Sequence, residues 1–249
     1  AEKIENYYGF AEPISGKEFL TRGIDGVECF GLKFTNKQAV SIDYEDGGFS
    51  VVTSDDKKNG CKAVLLATGS IRLAPSIEGL TEFEGKGVSY CAVCDAFFYR
   101  NKNVGVLGSG EYALHEAKIL AKTSKSVTVF TNGEEPTAVF PSEFTIVKEP
   151  LSTLTGEAKI EKAVLRDGTE VKIDGLFVAY GVASSAALAQ KAGAVTIGGK
   201  IRVNDSMMTN VNGLFAAGDC TGGLLQVSKA VGDGAAAGMA IIKYVKREK

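Results

Sequence analysis

The sequence predicts an α/β protein with a buried parallel sheet and tight glycine turns, and three observations carry that prediction. Apolar residues make up 45% of the 249 residues, and there are 30 glycines, as expected where strands pass to helices through close turns. Residues 103–131 read as strand, glycine loop, helix and strand, which is a βαβ unit. Cys91-Ala-Val-Cys94-Asp95 stands just ahead of that unit and places a pair of thiols at its edge.

The elements follow in order. Residues 12–31 read as a helix: Leu20, Ile24 and Val27 recur at helical spacing and Gly31 can end it. Ala39–Tyr44, Gly48–Thr53 and Ala63–Ala67 read as strands, with turns at 46–48 and 57–60. Residues 70–87, with Pro75, Gly79, Gly85 and Gly87, read as a crossing between domains. Asn103–Leu107 is predicted as a buried strand, Glu111–Lys122 as a helix and Ser126–Thr131 as a second strand. Shorter strands are expected near 144–148, 162–166, 170–173, 176–179 and 201–203. Leu214–Ala217 leads into Gly218-Asp219, and 226–246 reads as a long helix with small residues on one face.

Charge excludes some partners. The chain has 28 basic and 30 acidic residues, a formal net charge of −2, so neither nucleic acid nor an anionic membrane is an expected partner. No apolar run reaches the roughly 18 residues of a membrane-spanning helix. Five cysteines without a secretory leader suit the cytoplasm. Ala1 is an unusual start, and the opening residues read as the inside of a domain.

The Cys91–Cys94 spacing lets two thiols cycle between dithiol and disulfide, passing two electrons, while Asp95 can hold the proton that moves. Half a zinc site and a structural disulfide are the competing readings. Zinc needs about four ligands, and Cys29, Cys61, Cys220 and the only histidine, His115, stand apart from the pair. No metal is therefore expected. The three other cysteines are expected to be buried as small apolar side chains, and His115 to lie on a solvated helix face.

Two glycine-rich turns suggest nucleotide sites. Leu107-Gly108-Ser-Gly110-Glu-Tyr-Ala113 follows a strand and opens a helix. Gly108 permits the turn, Gly110 lets backbone amides approach a pyrophosphate, and Ala113 permits close packing; a tight turn without a ligand is the alternative. The next strand ends Phe130-Thr-Asn-Gly133, with Glu134 and Glu135 slightly late and no arginine between Arg100 and Arg166. A nicotinamide site normally presents an acid or arginines there, so NAD(P)H binding is doubtful and the loop reads equally well as vestigial. Gly213-Leu-Phe-Ala-Ala-Gly218-Asp219 places a carboxylate at a sheet edge, where it could hold a polyol such as a ribityl chain or cap a helix. Leu66-Ala-Thr68-Gly69-Ser70 is a second small-residue turn of that kind.

Taken together, these pieces resemble the low-molecular-weight flavin thioredoxin reductases. The resemblance rests on Ile4-Glu-Asn-Tyr with Gly9-Phe10, Ile14-Ser-Gly-Lys-Glu18, Leu66-Ala-Thr-Gly69, Gly87-Val-Ser-Tyr-Cys-Ala-Val-Cys-Asp-Ala-Phe-Phe-Tyr-Arg100, Gly175-Leu-Phe-Val178 and Gly213-Leu-Phe-Ala-Ala-Gly-Asp219. It implies two Rossmann-like domains, the second inserted into the first. Residues 1–81 and 207–249 would form the FAD domain and 82–206 the disulfide domain. The family's opening strand, glycine loop and helix have no counterpart here, so the expectation is a truncated, proteolysed or incompletely recorded chain with an incomplete FAD domain.

The resemblance also implies roles. Electrons would pass from a donor through FAD to the Cys91–Cys94 disulfide and on to thioredoxin. Cys94 would face the flavin, Cys91 would attack the protein substrate, and Asp95 would carry the proton. Asn6, Thr68, Gly69, Gly218, Asp219 and Gln226 would line the flavin, and a homodimer is implied. Gly110-Glu-Tyr-Ala-Leu-His-Glu116 with Thr131-Asn-Gly133 is similar to the clostridial reductases that take electrons from ferredoxin. Reduced ferredoxin is therefore the expected donor; an ordinary NADPH-dependent reductase and a non-catalytic nucleotide-binding module are the alternatives.

Overall fold

In the computed structural model, residues 3–45, 47–69 and 75–247 are described. Asp46 in the predicted 46–48 turn and residues 70–74 of the predicted crossing lie outside them. Helix α1 (Gly16–Glu28) begins later than the spacing predicts because Ser15 caps it, its hydroxyl accepting from the Glu18 N–H at 3.1 Å. Ahead of α1, Ile4 and Ile14 exchange backbone hydrogen bonds.

Strands β1 (Ala39–Glu45), β2 (Gly48–Thr53) and β3 (Lys58–Cys61) form an antiparallel meander. The predicted 57–60 turn is therefore mostly strand. Asp56 takes a left-handed conformation, φ +59°, and Thr53 N–H closes onto Lys57 O. The turn is complete by residue 57, and Lys58–Cys61 pairs with β2. Strand β4 (Val64–Leu66) pairs instead with a strand near the other end of the chain.

Between these partners the chain builds a parallel sheet. Strand β5 (Val88–Ser89) leads into the short helix α2 (Ala92–Asp95) and a 3-10 turn over Ala96–Tyr99. Then come β6 (Asn103–Leu107), α3 (Glu111–Ala121), β7 (Ser126–Phe130) and β8 (Thr145–Val147). The strands β9 (Leu151–Thr155), β10 (Lys162–Leu165) and β11 (Glu170–Lys172) form a second meander, followed by β12 (Gly175–Val178). The parallel order is β5-β12-β6-β7-β8. One face packs on α3 through Val104, Val106, Val129 and Phe177. The other packs on the second meander through Leu107, Phe130 and Leu176. Burial on both faces explains why β6 and β12 read as unbroken apolar runs.

Helix α4 (Ser185–Lys191) comes next, then the small hairpin β13 (Thr196–Ile197) and β14 (Lys200–Ile201). Strand β15 (Leu214–Ala216) returns to pair with β4 in parallel. A 3-10 turn over Gly218–Thr221 leads to α5 (Val227–Arg247). The fold is α/β and Rossmann-like, as the sequence predicts. Among the described residues, no helix is long and apolar enough to cross a membrane.

Two burial expectations are corrected. Cys220 is buried, but Cys29 and Cys61 are exposed; Cys61 lies on β3, whose residues are all exposed. His115 is not on a solvated face. It stands where α3 meets the first meander, beside Val40 and Asp56, and its Nε2 is buried without a hydrogen-bond partner among the described residues. Burial, with Lys191 nearby, lowers its pKa from the ordinary 6.5 to about 4.

This shift makes stability depend on pH. Between those two values the unfolded chain holds the extra proton. The His115 contribution is therefore fully present above about pH 6.5 and is lost as pH falls toward 4. We predict that His115→Gln flattens this part of the stability profile. Urea midpoints of both proteins across that range check it; equal slopes would leave His115 without a role.

Candidate functional site

The candidate redox centre is built on α2. Cys91 and Cys94 are disulfide-bonded, with Cα atoms 5.4 Å apart. Cys91 is extended and caps the helix, its Sγ accepting from the Cys94 N–H at 3.2 Å. Cys91 is buried, at 5% exposure, whereas Cys94 is exposed. The Ser89 hydroxyl, on β5, donates to Asp95 Oδ2 at 2.6 Å and accepts from the Cys91 N–H at 3.1 Å. Asp95 is thus oriented by a serine that sequence reasoning did not single out. Val93, Phe97 and Phe98 present exposed apolar surface around the pair.

Two further residues escaped the sequence reading. Glu116 Oε2 accepts from the Ala92 N–H at 2.7 Å, and the Tyr112 hydroxyl donates to the Tyr90 carbonyl at 3.2 Å. Burial and the neighbouring Glu116 carboxylate raise the Tyr112 phenol well above its ordinary range. They lie four residues apart on one face of α3, but their contacts are with residues more than twenty positions away, which no local pattern announces.

A second site opens at the C-terminal ends of β4 and β15. A groove of about 600 Å³ is lined by Gly69, Gly218, Asp219, Gln226, Ala67, Ala217 and residues of α1 and α5. Gly69 and Gly218 have φ of +73° and +80°, so backbone rather than side chain floors the groove. Asn6 Nδ2 donates to Gln226 Oε1 at 2.8 Å, joining residues 220 positions apart. Four of the six residues predicted to line the flavin therefore line the groove, and Asn6 reaches it through Gln226. Thr68 turns elsewhere: its hydroxyl meets Ser185 Oγ at 2.6 Å, and Ser185 donates to Gly69 O at 2.7 Å. The Gly218 N–H donates to Asp233 Oδ2, which Lys229 meets at 2.7 Å. An apolar channel floored by glycine turns, with one carboxylate at its edge, fits the ring system and polyol chain of a flavin.

The third feature is the glycine loop. Gly108 has φ +151°, and a Cβ there would stand 2.2 Å from Ala179 O and 2.9 Å from Ala113 Cβ. Gly110 opens α3, and a Cβ there would stand 3.3 Å from Thr137 Oγ1 and 3.7 Å from Gly181 O. Thr137 N–H donates to Ser109 O at 2.9 Å, and Ser109 Oγ donates to Glu134 Oε2 at 2.5 Å. The other Glu134 oxygen accepts from the Tyr180 hydroxyl, an interaction that pushes the tyrosine pKa up to about 12. Glu134, too late in sequence for a ribose, thus sits on the loop itself.

Gly108→Ala is predicted to destabilise the protein by about 2 kcal/mol or more, through the clash with Ala179 O. Urea unfolding measures this; a loss below about 0.5 kcal/mol would mean the loop relaxes freely.

The comparisons with known proteins agree with one another. The profile of the pyridine nucleotide-disulphide oxidoreductase family matches residues 4–234. The thioredoxin reductase of Treponema pallidum is 32% identical over 259 residues, covering 98% of this chain and 84% of that protein. The crystal structure of the atypical thioredoxin reductase TRi from Desulfovibrio vulgaris Hildenborough superposes with a TM-score of 0.93 at 37% identity, covering 99% of this chain and 86% of that one. A ferredoxin-flavin thioredoxin reductase from Clostridium acetobutylicum gives a TM-score of 0.72 at 32% identity, covering 99% and 84%.

Proposed function

We propose, for this chain that belongs to the pyridine nucleotide-disulphide oxidoreductase family, that Cys91 and Cys94 carry two electrons from a flavin to thioredoxin. The enzyme is a thioredoxin-disulfide oxidoreductase and its cofactor is a flavin. The observation that carries the site assignment is the disulfide itself, with Asp95 anchored beside it by Ser89. We take the flavin to be FAD, held along the groove by Gly69, Gly218, Asp219 and the Asn6–Gln226 pair, with Thr68 supporting the turn. We also take residues 82–206 to be a disulfide domain inserted between 1–81 and 207–249.

When bound, the flavin supplies an electron pair to the disulfide. The Cys91–Cys94 bond breaks as the pair arrives, and two protons complete the dithiol. Asp95 is placed to give and take one of them at its carboxylate. Cys91 Sγ then attacks thioredoxin's disulfide, and the departing thioredoxin sulfur takes a proton. Cys94 attacks the mixed disulfide, restores the Cys91–Cys94 bond and releases thioredoxin dithiol. Cys91 has to be uncovered before its attack, since it is buried here.

For the donor we favour reduced ferredoxin over NADPH. The glycine loop is engaged by Glu134 and Thr137, and a nucleotide phosphate would meet a carboxylate where it needs cations. Hydrogen bonds to charged groups contribute about 1.5–3 kcal/mol each, so two absent arginine contacts cost more than about a hundredfold in affinity. We further place the enzyme in the cytoplasm as a homodimer. Exposed, unpaired Cys29 and Cys61 persist best in a reducing compartment, and the exposed Met239 and Ile242 of α5 offer apolar surface for a second copy.

Cys94→Ser and Cys91→Ser should each abolish thioredoxin reduction while leaving the fold intact. Asp95→Asn should slow it by about a hundredfold or more. Insulin-coupled thioredoxin turnover measures all three, and a near wild-type rate in either serine variant would overturn the assignment. Stopped-flow mixing of the oxidised flavoprotein with reduced ferredoxin, NADPH and NADH decides the donor. We expect fast flavin bleaching with ferredoxin alone; fast bleaching by micromolar NADPH would return the enzyme to the NADPH-dependent class.

A further inference from the structure

Two side chains on one face of α3 hold the backbone on either side of Cys91. Tyr112 holds the Tyr90 carbonyl and Glu116 Oε2 holds the Ala92 N–H. The other Glu116 oxygen, Oε1, lies 2.5 Å from Lys191 Nζ on α4. This ion pair is sealed from water: the Lys191 and Glu116 side chains are 0% and 1% exposed. Lys191 also donates to the Val40 carbonyl of β1 at 3.2 Å. Its ammonium lies 5.0 Å from the centroid of the Tyr112 ring, which adds an attraction to the ring face.

No step of the proposed cycle uses either residue. Stability gives no reason for the pair either, since a buried ion pair often does no better than an apolar pair of the same volume. What the pair does have is a place: it ends on the peptide next to Cys91 at one side and on strand β1 of the first meander at the other. We propose that Glu116 and Lys191 are a positioning unit for the redox pair, in which Glu116 fixes the Cys91 end of α2 and Lys191 neutralises the carboxylate.

Two consequences follow, and both rest on reading Cys91–Cys94 as the redox centre. The carboxylate bonds the peptide adjacent to Cys91, so its charge bears on the Cys91 thiolate of the reduced state, and the ammonium opposes it. Geometry matters separately, because loss of the acceptor frees the Ala92 N–H. Among the described residues, the ionisable groups on this segment and on the α3 face against it include Tyr90, Cys94, Asp95 and Tyr99, and Tyr112.

The test uses the flavoprotein. The Cys91 thiol is titrated by its ultraviolet thiolate absorbance in a Cys94→Ser background, with the Cys91→Ser/Cys94→Ser protein subtracted. Glu116→Gln should raise the thiolate fraction at neutral pH about tenfold and Lys191→Met should lower it by a similar factor, one pKa unit each way. The Glu116→Gln/Lys191→Met variant keeps an oxygen for the Ala92 N–H without either charge and should return close to wild type. Shifts of the same sign in the two single variants, or none in any, would overturn the electrostatic role. Should a single variant fail to fold, two neutral doubles, made with Cys91 and Cys94 intact, still decide the matter. Glu116→Leu/Lys191→Met removes the acceptor and should lower kcat with thioredoxin about tenfold at unchanged KM, whereas Glu116→Gln/Lys191→Met should not. Equal kcat in these two would end the positioning role. Full turnover in Cys91→Ser would instead sink the underlying redox assignment, whatever the pair variants show.

Discussion

A carboxylate taken almost wholly out of water must be met by positive charge and by hydrogen-bond donors, and Glu116 imposes that demand at the centre of this molecule. Four elements meet there: α3 carries the acid, α4 brings the ammonium, α2 turns a backbone N–H toward it, and β1 offers a carbonyl to the far side of the lysine. Removing one partner from such a pair generally costs about 3–5 kcal/mol. Exposed pairs such as Arg22–Glu18 contribute about 0–1 kcal/mol. The internal pair therefore constrains how the parallel sheet, the redox helix and the first meander sit against one another, and the surface charges do not.

The glycine loop separates two uses of one motif. Gly108 is required by packing, because the Ala179 carbonyl and the Ala113 side chain occupy the space where any larger residue would go. That requirement holds whether or not a nucleotide binds. Ser109, between the two glycines, is bonded by Glu134 and Thr137, and Tyr180 holds the second Glu134 oxygen. A strand–glycine–helix signature is thus a report on how β6 meets α3, and the polar neighbours of the loop have to be read separately.

Much of this was legible in the sequence. Periodicity and turn chemistry predicted β1, β2, β6, α3, β7 and α5 closely, because each has one strong local signal. Helix α4 was not foreseen: Ser185 through Ala189 are all buried, so the segment has no polar face and no helical period to detect. Its one available sign was Ser184, which caps it by accepting from the Ala187 N–H. That Cys91 and Cys94 could pair was readable from their spacing, whereas the Ser89 contact to Asp95 was not, since it is a hydrogen bond across a tight turn. Glu116 and Lys191 were equally hidden, because nothing local tells a buried charge from a solvated one. Cys29 and Cys61 were expected inside by residue type alone, but the surface positions of β3 and of the end of α1 overrode that preference.

The unequal exposure of the two paired sulfurs, Cys91 and Cys94, also bears on damage by peroxide. In the dithiol state an oxidant arriving from solvent would meet Cys94 before Cys91, given the exposures seen here. A sulfenic acid formed on Cys94 has a thiol within disulfide reach and condenses with it. The product is the Cys91–Cys94 bond seen here, which the cycle proposed above would reduce again. Cys29 and Cys61, exposed and without a cysteine partner, have no such return. Their oxidation proceeds along the irreversible branch unless another thiol caps it. Pairing therefore makes the exposed sulfur of Cys94 more repairable than those of Cys29 and Cys61.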